Sequence, residues 1–145
     1  MPPYFFDTSA LVKRYHEEQG TGNVDRIFSE STDALVISNI TIAELTSAFS
    51  RKRDEGFLDD KALQRCLSSF SKDMLESFWI LDLERSHVFK SRELILRHGL
   101  RALDALQLAS ALTIKELNPC LVCSDRRLLK AARKEGVDAY DPEKG

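Results

Sequence analysis

The sequence predicts an α/β fold, with a parallel β-sheet covered by helices on both faces. Short apolar stretches rich in strand-forming residues alternate along the chain with longer stretches whose apolar residues recur every three or four positions. The chain has 145 residues, which is typical of one domain. We therefore expect a single domain over residues 1–145, built on four to five parallel strands.

The predicted elements follow one another without an internal repeat or a linker. Strands are predicted at 4–6, 34–38, 78–81 and 120–123, with an edge strand at 137–140. Helices are predicted at 9–18, 24–29, 40–55, 59–75, 86–98, 102–116 and 125–135. The helix at 102–116 is apolar nearly all round, which is typical of a buried helix.

Composition and charge exclude several classes of protein. Hydrophobic residues make up 43% of the chain and charged residues 30%, as in an ordinary soluble protein, and the net charge is −2. Nucleic-acid binding would therefore need a local basic patch. No apolar run approaches the roughly 20 residues that span a bilayer, and no signal peptide precedes the first strand. We expect a cytosolic protein with no membrane partner.

Three cysteines do not make a disulfide framework. Cys120 and Cys123 have the spacing of a metal-binding CxxC motif, but residues three apart in a strand point to opposite faces. A second pair, which a zinc site would need, is absent from the sequence. We interpret the cysteines as buried structural residues.

Four acidic residues lie where predicted strands end or where the following helices begin. Asp7 follows the first strand, Glu44 lies one turn into the helix after the second, and Asp125 follows the fourth. Each has a purely structural interpretation, as a helix cap or as an acid that complements the helix dipole. Asp104 is the strongest indication of a site, because a carboxylate on a buried helix is costly unless it is paired or coordinated.

The four acids are expected to meet in one crevice, because ligands bind at the carboxyl ends of parallel strands. Clustered carboxylates repel one another, and oxygen ligands suit a hard divalent cation such as Mg²⁺ or Mn²⁺. The three histidines, His16, His87 and His98, lie in unrelated contexts, which argues against zinc and against a His-based ribonuclease. A site of this kind can activate water for attack on a phosphodiester.

Four segments of the chain resemble the PIN-domain family, and most closely its VapC-type toxins from prokaryotic toxin–antitoxin pairs. They are FDTSALVK at 6–13, TIAE at 41–44, HGLRALDALQLA at 98–109 and SDRRLL at 124–129. The resemblance implies a three-layer α/β/α sandwich and Mg²⁺-dependent endoribonuclease activity. It also implies a complex with a small antitoxin, whose tail would enter the acidic crevice.

The resemblance further implies a role for each site residue. Asp7 and Asp104 would bind the metal directly, whereas Glu44 and Asp125 would act through water or a second ion. Two serines would support the site: Ser9, which would hold Asp7, and Ser124. The one departure is Gln107, where many members carry His, and it leaves the acidic quartet intact.

RNA binding is expected from basic residues near the acids. They are Lys13, Arg14, Arg51, Arg126 and Arg127, with Lys52, Arg53 and Lys130 close by. For each one taken singly, an ordinary solvated surface residue is the alternative.

The helix at 59–75 carries an apolar stripe of Leu63, Leu67, Phe70 and Met74, with Cys66 beside it. Either the stripe is exposed for a partner or it packs on the helix at 40–55. From the first interpretation we predict a homodimer.

The main alternative to a nuclease is a PIN-fold module that binds RNA or protein without cutting. A phosphoaspartyl phosphatase is disfavoured, because Ser9 stands where that class needs a second Asp.

Overall fold

The computed structural model describes residues 2–30 and 34–145, and its five strands there form one parallel sheet. The strands are β1 (Tyr4–Phe6), β2 (Leu35–Ser38), β3 (Phe78–Leu81), β4 (Cys120–Val122) and β5 (Asp138–Tyr140). Their order across the sheet is β3-β2-β1-β4-β5, and every neighbouring pair is parallel. The predicted parallel sheet is confirmed.

Helices cover both faces of this sheet, as predicted. They are α1 (Thr8–Tyr15), α2 (Thr21–Glu30), α3 (Ile40–Asp54), α4 (Asp60–Glu76), α5 (Arg85–His98), α6 (Ala102–Leu112) and α7 (Arg126–Lys134). Successive strand residues point to opposite faces. Phe6 accordingly packs into a core with side chains of α1 to α4, and Phe5 into a second core with side chains of α5 to α7. The three-layer α/β/α arrangement is therefore confirmed.

Helix α6 is shorter than predicted, since it ends at Leu112 rather than at residue 116. The Thr113 hydroxyl donates to the carbonyl of Ser110 at 2.6 Å, and the backbone N–H of Thr113 also turns to that carbonyl. A side chain that bonds its own backbone competes with the regular helical pattern. The chain tightens into a 3-10 turn at Lys115–Leu117, and Asn118 closes it in the left-handed region with φ 53°.

The apolar stripe of α4 faces the interior of the molecule. Leu63, Cys66 and Phe70 are buried, and the Phe70 ring lies 5.5 Å from the ring of Tyr15, between centroids. Leu67 and Met74 pack against the same core. The interpretation that this stripe is an exposed association surface is therefore wrong, because α1 and α3 cover it.

The strand order creates a crevice between β1 and β4. From β1 the chain builds outward through β2 to β3, and then crosses back to place β4 on the other side of β1. In open parallel sheets, ligands bind at such a switch point, at the carboxyl ends of the strands. Asp7 directly follows β1, and Asp125 lies just beyond β4. Among the described residues, no helix is long and apolar enough to cross a membrane.

Candidate functional site

A cavity of about 620 Å³ opens at the carboxyl ends of β1 and β4. All four acids that the sequence singled out line it: Asp7, Glu44, Asp104 and Asp125. They reach it from four different helices or helix caps, so the fold brings together side chains that are far apart in the sequence. The acidic cavity, as we call it, is the candidate site.

Asp7 is the most buried of the four, with 4% of its surface exposed. Its Oδ2 accepts hydrogen bonds from the Ser9 hydroxyl at 2.6 Å and from the Ser9 backbone N–H at 3.2 Å, which caps α1. Burial raises the pKa of Asp7, the Ser9 hydrogen bonds oppose that shift, and nearby Glu44 adds to it. Asp7 is therefore both the helix cap and a wall of the cavity.

Ser9 also joins the ends of the two central strands. Its hydroxyl accepts a hydrogen bond from the backbone N–H of Ser124 at 3.0 Å. The Ser124 hydroxyl itself is buried without a hydrogen-bond partner in the described part of the chain. Ser124 thus contacts the site through its backbone, and Ser9 through its side chain.

Glu44 is held by polar residues that the sequence analysis did not assign to the site. Its Oε1 accepts hydrogen bonds from the Thr8 hydroxyl at 3.1 Å and from Gln107 Nε2 at 3.0 Å. Gln107 is fully buried, and its Nε2 also donates to the Thr41 hydroxyl at 2.7 Å. Burial raises the pKa of Glu44, against these hydrogen bonds from Gln107 and Thr8, and Asp104 raises it further.

One signal in the sequence could have found this support. Gln107 is the i+3 neighbour of Asp104 on the most apolar helix, and a buried amide requires partners. Thr41 precedes Glu44 by three residues, which places the two on one face of α3. Which of these residues meet was not readable from the sequence, because α3 and α6 are distant along the chain.

Asp104 lies in the first turn of α6 and is half-buried. Its burial, with Asp7 and Asp125 nearby, raises its pKa to about 6, although Arg101 and Arg127 act in the opposite direction. Asp104 thus lies near two other carboxylates of the cavity, whose negative charge disfavours its ionised form. The cavity is therefore electrostatically prepared for a cation or for protons.

Asp125 is the N-cap of α7, and its Oδ1 accepts from the backbone N–H of Leu128 at 2.9 Å. Beneath it, the buried Cys123 thiol accepts a hydrogen bond from the Asp125 backbone N–H, with 3.2 Å between N and Sγ. Burial raises the pKa of this thiol, with Asp7 the next cause in the same direction. Cys123 thus stays a neutral packing residue under the acids.

Two of the predicted RNA-binding cations face elsewhere. Lys13 is 4% exposed, and its ammonium lies 3.0 Å from Glu18 Oε1 and 3.5 Å from Glu143 Oε2. Arg14 pairs with Asp25 at 3.0 Å, and its guanidinium stacks 4.2 Å from the centroid of Phe28. The structure contradicts the interpretation of Lys13 as a surface contact, since its charge is used inside the molecule.

Other cations do border the acidic cavity. Arg51 and Lys52 line it from α3, and Arg101 lines it from the start of α6. Arg101 is not among the basic residues that the sequence predicts to bind RNA. Arg126 and Arg127 are exposed and line a neighbouring cavity instead.

The donor set of the acidic cavity suits a hard cation, because every acidic ligand offers oxygen. Within residues 2–30 and 34–145, no three His, Cys, Asp or Glu side chains converge closely enough to hold one ion directly. The carboxylates instead surround an open space. Their oxygen atoms are the type of ligand that a hard divalent cation takes.

Several solved structures share the fold of this chain. FitAcB from Neisseria gonorrhoeae superposes with a TM-score of 0.72 at 18% identity, over 96% of this chain and 97% of that one. The toxin VapC20 from Mycobacterium tuberculosis, described as cleaving the sarcin–ricin loop, gives 0.67 at 14% identity, over 88% and 94%. DNA-bound VapBC from Salmonella typhimurium gives 0.66 at 16%, over 98% and 99%.

Sequence comparison agrees with the fold. The chain is 28% identical over 140 residues to the ribonucleases VapC45 and VapC49 of Mycobacterium tuberculosis, covering 94% of this chain and 93% of each of theirs. The family model of the PIN domain matches residues 4–134, which include all four acids of the cavity. The resemblance seen in the sequence motifs is thereby confirmed, and the chain belongs to the PIN-domain family.

Proposed function

We propose that this protein is an endoribonuclease that depends on a divalent metal, Mg²⁺ or Mn²⁺, and acts as the toxin of a toxin–antitoxin pair. The whole chain, residues 1–145, would be the nuclease domain. The observation that carries the proposal is the acidic cavity at the strand switch point of a PIN-family chain. The relatives named as ribonucleases support the choice of RNA. We propose the cytoplasm as the compartment in which it acts.

The resemblance to the PIN family implies two roles for the acids, which we propose here. Asp7 and Asp104 would bind the ion directly, and Glu44 and Asp125 would bind it through water or a second ion. A bound divalent ion neutralises charge on a phosphodiester and activates water for attack on phosphorus. Ser9 holds the Asp7 carboxylate in place, and Ser124 fixes Ser9 through its backbone N–H.

The proposed reaction predicts defined products. In the proposed reaction water, and not the 2′-hydroxyl of the RNA, attacks phosphorus. Each cut therefore leaves a 5′-phosphate and a 3′-hydroxyl. Arg51, Arg126 and Arg127 are proposed to hold the RNA backbone beside the cavity.

The test is cleavage of labelled RNA with Mg²⁺, with Mn²⁺ and with excess EDTA. We expect cutting by the wild type with metal, and none by Asp104→Asn. Asp82→Asn makes the same chemical change at an exposed site outside the cavity and is expected to cut normally. A 2′,3′-cyclic phosphate product, or full activity in EDTA, would refute the mechanism. Binding of RNA without any cutting would indicate the non-cleaving module instead.

Two protein partners are also proposed. Structural neighbours include a toxin–antitoxin complex from Klebsiella pneumoniae and VapBC from Salmonella typhimurium, which supports a small antitoxin as partner. A homodimer stays a prediction, now without the α4 stripe as its surface. Exposed apolar side chains that could serve it include Trp79 on edge strand β3 and Phe89 on α5, which are 63% and 60% exposed.

A further inference from the structure

A second cavity, of about 460 Å³, lies between the end of α5 and α7, and its charged lining is almost wholly basic. We call it the basic cavity. Its polar lining residues are Arg97, His98, Arg126, Arg127, Lys130 and Lys134. In a chain with a net charge of −2, this many cations around one cavity make a local positive field.

Only part of this positive charge is used within the protein. Glu135 lies 2.6 Å from both Arg97 Nη1 and His98 Nε2, so one carboxylate serves two of the basic groups. Within residues 2–30 and 34–145, Arg126, Lys130 and Lys134 form no ion pair, and all three are exposed.

These three cations follow one face of α7. Their spacing of four residues places them about 6 Å apart along the helix axis, in a row about 12 Å long. The opposite face of α7 is buried through Leu128 and Ala132. Like charges at this spacing destabilise a helix, and a cation in the first turn opposes the helix dipole. Lys134, in the last turn, complements the dipole, but no ion pair among the described residues offsets the repulsion along the row, and a bound polyanion would relieve it.

The α7 row, formed by Arg126, Lys130 and Lys134, begins beside the acidic cavity. Asp125, which lines the acidic cavity, is the N-cap of α7, and Arg126 is the next residue. Arg127 is near enough to Asp104 to oppose the rise of its pKa. An extended polyanion that leaves the acidic cavity past Asp125 would therefore contact Arg126, Lys130 and Lys134 in turn.

We propose that the basic cavity and the α7 row form a second binding site, for the phosphate backbone of single-stranded RNA beside the cleavage site. The site is distinct from the acidic cavity and would set how the RNA leaves it. This inference rests on the proposed function for the identity of the polyanion. Its continuity with the acidic cavity favours RNA over an acidic protein segment.

The test compares two triple variants that lose the same charges. One carries Arg126→Gln, Lys130→Gln and Lys134→Gln in α7. Its matched control carries Lys61→Gln, Arg65→Gln and Lys72→Gln, exposed cations of α4 on the opposite layer. Each removes one Arg and two Lys, so both variants change the net charge of −2 equally. Melting temperatures check that both remain folded.

Binding is measured in EDTA, to prevent metal-dependent cutting, with a labelled single-stranded RNA of mixed sequence and roughly 16 nucleotides. Each phosphate contact contributes about −0.7 to the slope of log K against log salt for a single strand. The α7 variant should therefore lose about 2 from the magnitude of that slope, and bind roughly 100-fold more weakly at about 0.1 M salt. The α4 control should keep the wild-type slope.

Several results would overturn the proposal. They are equal slopes in the α7 variant and the wild type, equal losses in the two triple variants, or no RNA binding by the wild type. Poly-glutamate serves as a second probe in the same assay. If the α7 variant loses poly-glutamate binding but keeps RNA binding, the proposal is also overturned, and the site is assigned to an acidic protein. If the triple variant does not fold, Lys130→Gln alone should reduce the magnitude of the slope by about 0.7.

The outcome is separable from the proposed function. A wild type that binds RNA through α7 but never cuts it would refute the nuclease and leave this site standing. A wild type that cuts RNA, with a slope that the α7 substitutions leave unchanged, would refute this site and leave the nuclease standing.

Discussion

Replacing Asp104 by Asn is expected to stabilise the metal-free protein at neutral pH, although the same change should abolish the proposed cleavage. The pKa of Asp104 is raised from 3.8 to about 6, first by burial and then by Asp7 and Asp125. Above that pH the folded protein must hold an ionised carboxylate in a place that disfavours it. Asn removes the charge at nearly constant shape.

The size of the gain follows from the pKa. One pKa unit corresponds to about 1.4 kcal/mol, so the difference amounts to about 3 kcal/mol before solvent is considered. Because Asp104 is only half-buried, solvent screening reduces this to about 1–1.5 kcal/mol. For a chain of this length, the melting temperature should rise by about 3–5 °C.

The gain should depend on pH with a defined sign. The folded protein binds the Asp104 proton more tightly than the unfolded chain does. The free energy of unfolding of the wild type should therefore fall as pH rises from about 4 to about 6, and then level off. The lowered pKa values of Glu18 and Glu135 act with the opposite sign at more acidic pH. Those contributions are common to both proteins and cancel in the comparison.

The assay is a thermal melt of wild type and Asp104→Asn in EDTA across this pH range, with Asp82→Asn as the exposed control. Millimolar Mg²⁺ should then raise the melting temperature of the wild type by binding its native state, and that of Asp104→Asn much less. The reasoning is refuted if Asp104→Asn melts well below the wild type in EDTA at about pH 7.5. Asp104 would then be a structural partner of Arg101 or Arg127.

Two further predictions concern positioning and assembly. Gln107→Leu removes the buried donor to Glu44 and Thr41. The free energy of unfolding in urea should therefore fall by about 1–3 kcal/mol, and the rate of RNA cleavage should fall as well. An unchanged cleavage rate in a folded variant would show that Gln107 does not position Glu44. Light scattering should give twice the 16.5 kDa chain mass, and Trp79→Ser should shift it towards the monomer; a monomeric wild type at high micromolar concentration would contradict the homodimer.

Local signals in the sequence predicted the order of the elements and the position of each acid near a strand end. Apolar periodicity and capping residues are local properties, and the helices and strands followed from them closely. Asp7 and Asp125 illustrate why. Each caps the helix that follows a strand, through bonds to Ser9 and Leu128 only two or three residues away. The acid that caps each helix therefore also lines the cavity.

The tertiary structure alone decided which side chains meet. Glu44 and Gln107 are 63 residues apart in sequence, and Lys13 is buried against Glu143 from the far end of the chain. From the sequence, the stripe of α4 could be exposed or could pack on the helix at 40–55, and in the structure α1 and α3 cover it. Periodicity indicates that one face of a helix is apolar, but not what packs on that face. Nor does the sequence indicate which distant residue will pair with a given charged side chain. Those facts arise only when the sheet brings separate segments together.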